Sequence, residues 1–299
     1  MQLIEYNAIG GVRVRRELCC ALGFFDGVHR GHRHLIKECI RAAKEKGLAP
    51  AVLTFPAENL GLKKNAARLY TTEEKKRILE DLGIEVLILC DFDTVRGLTP
   101  EEFVNQVLQK DLNCRVVMSG EGFRFGKGAQ GDAKSLISLM AQGGGEAITV
   151  PDLKIRGVTV SSTEIRRAIE DGKMEYANDL LGAPYFISGV VRHGRGEGRL
   201  YGFPTVNTEL NGSLNLKRGV YKSSLEIDGI SYTGLTNIGL CPTFGKRDMH
   251  AETMILGFEG DLYGRELTIN LLKYIRDERK FDTPEDLKAQ IDKDIAELE

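Results

Sequence analysis

The chain predicts two domains of different class, an α/β domain first and an antiparallel β domain after it. At 299 residues it is long enough for two cores, since one domain usually holds roughly 100 to 200 residues. From residue 18 to about residue 150, short apolar runs alternate with segments of helical spacing, the pattern of a parallel sheet with crossover helices. Beyond Leu181-Gly182-Ala183-Pro184 the texture changes to alternating runs punctuated by Gly, Asn and Asp, the turn formers of an antiparallel sheet.

In order, LCCALGFF reads as a buried strand. A helix follows to Lys46, with Ile36, Cys39, Ile40 and Ala43 as its apolar face. AVLTF, VLILCDF and RVVMSG are the next strands, separated by helices near 72–82 and 100–110. Both helix starts are signed by capping boxes, Thr71 with Glu74 and Thr99-Pro100 with Glu102, the second with proline at the first helical position. YFISGVVRHG, GVYKSSLEIDG, SYTGLTNIG, AETMILGF and ELTINLLKYI are the strands of the second half. Thr283-Pro284-Glu285-Asp286 then opens a terminal helix with Leu287, Ile291 and Ile295 on one stripe.

Composition narrows the function. Apolar residues make up 42% and charged residues 28%, ordinary for a globular protein. A net charge of −2 argues against a nucleic-acid partner, which would call for a basic excess. No apolar run approaches the roughly 20 residues of a membrane span, and the N-terminus lacks the order of a secretory signal, so the expectation is a cytoplasmic protein without a membrane partner. The six cysteines, 19, 20, 39, 90, 114 and 241, show no CxxC spacing and read as small buried apolar residues.

The stretch LGFFDGVHRGHRHLI concentrates three of the five histidines, His29, His32 and His34, where a helix begins. Unpaired backbone N–H groups and the positive helix end favour anions there, and imidazoles add donors for a phosphate. Gly31 lets the backbone approach a ligand. Such a site transfers phosphoryl or nucleotidyl groups by positioning and charge stabilisation, with no covalent nucleophile. A lone histidine here would more simply be a cap or a surface residue. VSSTEIRRAI, with Ser161 or Ser162 as cap and Arg166 in the first turns, is on its own a capped helix.

GFFDGVHRGHRHLI resembles the His-x-Gly-His nucleotidylyltransferases, and most closely the prokaryotic bifunctional riboflavin kinase/FAD synthetase family, whose signature is Phe-Asp-Gly-Val-His-x-Gly-His. The resemblance runs from about residue 18 to residue 294. VSSTEIRRAI is similar to that family's Ser-Ser-Thr-x-Ile-Arg phosphate motif, and GEGFRFGKGAQGD to its flavin- and nucleotide-binding loop. HGRGEGRLYGFPTVN resembles the kinase flap followed by Pro-Thr-x-Asn, here Pro204-Thr205-Val206-Asn207. The resemblance implies a Rossmann-like nucleotidyltransferase domain over residues 1–182 and a small antiparallel β-barrel riboflavin kinase domain with a C-terminal helix over 185–299.

It also implies site residues. Gly23, Phe25, Asp26, Gly31, Phe123, Arg124, Phe125, Gly126, Ser161, Ser162, Thr163 and Arg166 would bind nucleotide or flavin in the first half, with His29 and His32 acting on the phosphates. Gly196, Gly198, Thr205, Asn207 and Arg276 would do so in the second half, where Thr205 and Asn207 would hold Mg²⁺ through hard oxygens. Glu252 falls on the family's general base for the ribityl 5′-hydroxyl. Read on their own, Asp261, Arg276, Asp277 and Glu278 are ion-paired or surface residues, the flavin contact of Arg276 being a second reading. The implied small molecules are riboflavin, FMN, FAD and ATP/ADP, and a weak homo-oligomer is compatible with the reading.

The chain departs from the family at four places. Thr54-Phe55-Pro56-Ala57-Glu58-Asn59 stands for Thr-Phe-Asp-Pro-His-Pro, Gly122 for Asp or Asn, Met254 for a common His, and Gly257 for an Asp. Two of these fall in the adenylylating half. They motivate two alternatives, a monofunctional riboflavin kinase with a weakened first domain and a non-catalytic flavin- or nucleotide-binding regulator.

Overall fold

The computed structural model describes residues 1–7, 12–56, 68–192, 205–210, 216–241 and 248–298. Contacts divide the chain into two compact units, Met1–Ser162 and Thr163–Glu299.

The first unit is built on a parallel six-stranded sheet. Its strands are β1 (Gln2–Tyr6), β2 (Leu18–Leu22), β3 (Ala49–Thr54), β4 (Val86–Cys90), β5 (Cys114–Gly120) and β8 (Glu146–Val150), in the order β1-β4-β3-β2-β5-β8. β2 and β3 lie in the middle and every residue of both is buried, which is why they read as unbroken apolar runs. The edge strands β1 and β8 are half-polar, and the sequence pattern did not disclose them. Two short hairpins accompany the sheet, β6 (Arg124–Phe125) with β7 (Gly131–Asp132), and β9 (Lys154–Ile155) with β10 (Val158–Thr159).

The helices of this unit are α1 (Arg30–Lys46), α2 (Thr72–Asp81), α3 (Phe92–Val95), α4 (Pro100–Glu102, continuing as a wider π-helical stretch, Phe103–Asp111) and α5 (Ala133–Gln142). Both expected capping boxes are formed, at Thr71 and at Thr99. α1 buries Leu35, Ile36, Cys39, Ala42 and Ala43 and stops at Gly47, whose φ of 67° suits a left-handed cap. Five cysteines, 19, 20, 39, 90 and 114, are free and buried, as the apolar reading expected. Chain connections run outward in both directions from β2 and β5, so the topological switch point lies between those strands. In open α/β sheets, ligands bind beyond the carboxyl ends of the strands at that point.

In the second unit, α6 (Ser162–Glu170) and α7 (Met174–Leu181) precede a closed antiparallel barrel. Its strands are β11 (Tyr185–Arg192), β12 (Thr205–Glu209), β13 (Gly219–Ile227), β14 (Ile230–Cys241), β15 (Asp248–Ile255) and β16 (Glu266–Arg276), ordered β11-β12-β15-β14-β13-β16. The Asn178 side chain of α7 donates to Leu271 O at 2.9 Å and accepts from Tyr185 N–H at 2.7 Å, which fastens α7 to the barrel.

Alternation along the strands gives the barrel two faces. On one, Ser223, Thr236 and Thr253 join their hydroxyls at 2.7 and 2.9 Å across three strands. On the other, Val220, Leu235 and Met254 pack with Ile291 and Ile295 of the terminal helix α8 (Pro284–Ala296) and with Leu298.

Candidate active sites

The histidine site of the first unit is shaped by a strained turn between β2 and α1. Phe25, Gly27 and Val28 all take positive φ, 48°, 80° and 39°. Two of the three are not glycine, and such strain is kept only where surroundings enforce it. They do so here. Arg33 Nε donates to Val28 O at 3.0 Å, Asp26 Oδ1 accepts Leu69 N–H at 3.1 Å, and Ser162 Oγ donates to Asp26 O at 2.8 Å. Gly27 is favoured on backbone grounds by its φ of 80°, and a Cβ there would also displace the tip of the Leu69 side chain, 2.4 Å away.

The turn delivers His29 to the N-cap of α1, where its Nδ1 accepts the His32 N–H at 3.3 Å. That bond assigns the proton of neutral His29 to Nε2, which is left as a donor. The His32 ring stacks on it, centroids 3.6 Å apart and planes 15° from parallel, and Phe25 meets His32 edge-on at 5.2 Å. A Cβ at Gly31 would sit 3.3 Å from the His29 ring, so the glycine between the histidines makes room for the stack. Burial lowers His29 to about 4, and burial with the neighbouring His29 and Lys75 holds His32 well below its ordinary value. Both imidazoles are neutral donors at pH 7. His32 Nδ1 is buried without a hydrogen-bond partner among the described residues, the signature of a polar group that awaits a ligand or water. His34, two positions further, is exposed.

The other expected residues of this half divide by environment. Gly23 follows β2, and a Cβ there would lie 3.2 Å from the Phe25 ring. Phe123 is half-buried and stacks on Phe125 at 5.7 Å, while Phe125 packs on Phe103. Gly126, at φ 72°, lets the chain pass Pro100, whose N would be 2.9 Å from a Cβ. Arg124 is exposed and pairs with Asp132 at 3.4 Å. Ser161 precedes the first turn of α6, and Thr163 and Arg166 lie within that helix. Around Gly122 there is open space. Glu58 lies outside the described residues, as do Ala57 and Asn59.

In the barrel, register assembles the second site. Thr205 and Asn207 pair directly with Met254 and Glu252 across β12 and β15, so the hydroxyl, the amide and the carboxylate share one face. Asn237 of β14 stands opposite Glu252 on the other side. A cavity of about 600 Å³ opens on this face, lined by Thr205, Asn237, Glu252, Arg276 and, from α8, Leu287 and Ile291. Its size suits a small-molecule site. His250 Nε2 approaches Glu252 Oε1 to 3.4 Å. The Arg276 guanidinium is committed to Asp294 of α8 through contacts of 2.6 to 3.0 Å, so it fixes the helix that roofs the cavity. Asp277 accepts from Tyr274 OH at 2.5 Å, and Asp261 accepts from Tyr263 N–H at 2.9 Å. Gly196, Gly198 and Pro204 lie outside the described residues.

No group of three or more His, Cys, Asp or Glu able to hold a metal occurs among the described residues. Thr205, which lines the cavity, and Asn207, paired with Glu252, instead offer neutral hard oxygens. That donor set fits Mg²⁺, which usually keeps several waters and takes substrate phosphates as its anionic ligands.

Three residues at these sites escaped the sequence reading. Lys75 is buried at 2% exposure beside the histidine site. Its position on the stripe of Ile78 and Leu79 was a legible signal. Asn237 gave none, because only strand register brings it to Glu252; His250 lies two residues before Glu252 on β15 and shares its face by strand alternation, a local signal that went unused.

Comparison with known proteins matches both halves of the chain. Residues 12–164 match the FAD synthetase family model and residues 181–299 the riboflavin kinase model. The bifunctional riboflavin kinase/FMN adenylyltransferase of Bacillus subtilis is 40% identical over 93% of this chain and 90% of its own length. That of Listeria monocytogenes is 37% identical over 92% and 89%, and that of Escherichia coli K12 36% identical over 91% and 89%. A solved structure from Streptococcus pneumoniae, described as a macrolide-efflux protein, superposes with a TM-score of 0.89 at 30% identity and covers 99% of this chain and 98% of its own. No helix among the described residues of the present chain is long and apolar enough to cross a membrane. With both family models matched in order, the monofunctional and regulatory alternatives are not favoured. The chain belongs to the bifunctional riboflavin kinase/FMN adenylyltransferase family, phosphorylating riboflavin to FMN and adenylylating FMN to FAD.

Proposed function

We propose that the two reactions are carried by two separate constellations, the His29–His32 turn for adenylyl transfer and the Thr205–Asn207–Glu252 face for phosphorylation. The observation that carries this assignment is the barrel register, which pairs Glu252 with Asn207 and puts Glu252 and Thr205 in the wall of a cavity of small-molecule size. Glu252 accepts the proton of the riboflavin 5′-hydroxyl as that oxygen bonds to the γ-phosphorus of ATP and the bond to ADP breaks. Thr205 and Asn207 hold Mg²⁺, which neutralises phosphate charge when bound. Leu287 and Ile291 supply apolar surface for the flavin.

At the other constellation, an FMN phosphate oxygen bonds to the α-phosphorus of ATP and pyrophosphate leaves. The attacking phosphate carries no proton that must be removed, so a base is not needed. His29 Nε2–H and the first N–H groups of α1 donate to the phosphates, and neutral His32 adds its single ring N–H. Gly23, Gly31 and the Phe25 turn give the backbone its close approach, while Phe123 and Phe125 offer a stacked aromatic surface. On the family motif alone, Ser161, Thr163 and Arg166 are assigned to ATP phosphates, and Gly196 and Gly198 to the kinase flap. A cytoplasmic setting, without nucleic-acid or membrane partners and with at most weak self-association, is proposed on composition.

A crossed assay tests the assignment. His29→Ala with His32→Ala should suppress FAD formation from supplied FMN and leave riboflavin phosphorylation intact. Glu252→Gln should do the reverse, lowering FMN formation at least about 100-fold, the low end for general acid–base catalysis. Equal loss of both activities in either folded variant would overturn the separation.

A further inference from the structure

Lys75 carries more than packing explains. It lies on α2, a helix otherwise occupied with capping and core contacts, and its side chain runs inward to the carboxyl edge of the parallel sheet. There Nζ reaches Phe24 O at 3.0 Å, Phe55 O at 3.2 Å and Thr54 Oγ1 at 3.3 Å. Thr54 Oγ1 itself donates to Phe24 O at 2.8 Å. One ammonium group thus joins the segment leaving β2 and the segment leaving β3, the two central strands.

Burying an ammonium is costly unless strong partners offset its lost hydration, and an unbranched apolar side chain such as methionine would fill a similar volume without that cost. Retaining a charge there therefore calls for a use at that place. The segment after β2 is the strained turn that carries His29. Phe24 immediately precedes Phe25, the first of its three positive-φ residues.

We propose that Lys75 is a positioning residue for adenylyl transfer: by clamping the ends of β2 and β3 it sets where the Phe25–His29 turn presents its donors to the nucleotide phosphates. The inference rests on the assignment of that turn to the adenylylation site. The lysine acts through the turn and not by contact with substrate. Its charge also acts on the stack directly, since it opposes protonation of His32. Among the described residues, the other groups acting on the pair are Asp26 on the turn, which favours protonation of His29, and His29, which opposes protonation of His32. Arg33 of α1 is engaged with Val28 O, and Glu74 of α2 with Thr71.

The test uses the full chain with Lys75→Met, Lys75→Arg, Thr54→Val and the His29→Ala/His32→Ala pair. FAD formation from FMN and ATP is measured as kcat and as KM for ATP across pH, and riboflavin phosphorylation is measured in the same preparations. Lys75→Met should lower kcat for FAD formation by about 100-fold, the scale of a misplacement of about 1 Å, with phosphorylation unchanged. The acid limb of its pH profile should move upward, because the cation that opposed imidazole protonation is gone. Lys75→Arg should return the acid limb to its original place. Thr54→Val removes one node of the clamp without touching a charge, and should lower kcat in the same direction by a smaller factor. If Lys75→Met does not fold, the arginine and Thr54→Val variants carry the test. A folded Lys75→Met variant within twofold of the parent overturns the proposal. So does a slower one with an unmoved acid limb, which would make Lys75 a packing residue, and so does an unaffected Thr54→Val. The histidine pair reports separately: if its loss leaves FAD formation intact, the site assignment itself fails, whatever the lysine variants do.

Discussion

Replacing Asp294 by Asn leaves the Arg276 guanidinium without its counter-charge at the underside of α8. The Arg276 side chain is 13% exposed and that of Asp294 1%, and three contacts of 2.6 to 3.0 Å join them. Removing one partner from such a buried pair costs about 3 to 5 kcal/mol, because the remaining charge stays desolvated. Two features lower that figure: Arg276 Nη1 keeps its bond to Asp277 O at 3.1 Å, and an asparagine carbonyl still accepts one hydrogen bond. We therefore expect about 2 to 3 kcal/mol, at or just below the bottom of that range once one bond is kept. The loss falls on the docking of α8, since Ile291 and Ile295 pack on Val220, Leu235 and Met254 beside the pair. Amide hydrogen exchange of residues 284–296, followed by mass spectrometry, reads it locally. At 1.36 kcal/mol per decade, about 2 to 3 kcal/mol corresponds to exchange faster by about 30- to 150-fold. The KM for riboflavin should rise as well, because Leu287 and Ile291 line the cavity. Exchange within threefold of the parent would refute the reasoning. Asp294→Leu combined with Arg276→Met should recover most of the protection, and a double variant as poorly protected as the single one would show that uncompensated charge is not the cause.

Three further outcomes are expected. With His29 held at about 4, against an ordinary value of 6.5, the imidazole contributes stability above pH 6.5 that is lost as pH falls toward 4, because the unfolded chain binds the proton first. The shift amounts to at most about 3 kcal/mol, so melting curves of the parent should fall more steeply over this range than those of His29→Asn, and parallel slopes would contradict the burial argument. Because Asn178 ties α7 to β11 and β16, a fragment of residues 163–299 should be more resistant to urea than one of 185–299, with both phosphorylating riboflavin; equal midpoints would show that α6 and α7 add nothing. Gly122 has open space around it, so Gly122→Asn should be tolerated and should raise the ratio of FAD to FMN formed from riboflavin. An unchanged product ratio would mean that the polar group missing at this position is neutral.

Local sequence determined the elements whose signal is carried by neighbours along the chain. β2 and β3 are continuous apolar runs because both faces are covered, and the Thr71 and Thr99 boxes close within four residues. The His-x-Gly-His spacing likewise had to lie at a helix start, since the turn, the cap and the glycine that admits the ring stack are contiguous. Edge strands β1 and β8 were silent because an edge is only partly covered and keeps polar residues.

Tertiary structure decided everything that depends on register or on which side chain a buried group meets. Glu252 could be singled out from motif resemblance, but only antiparallel pairing places Asn207 on one side of it and Asn237 on the other. Arg276 read first as an ion-pair or surface residue and second as a flavin contact, and its partner is Asp294, 18 residues away on another element. Lys75 and Lys76 are adjacent and chemically identical, yet one is clamped under the sheet edge and the other faces solvent with Glu73. Helical phase suggests which lysine turns inward. What it meets there is set by the ends of two strands that the chain reaches more than 20 residues earlier, and no local pattern records that encounter.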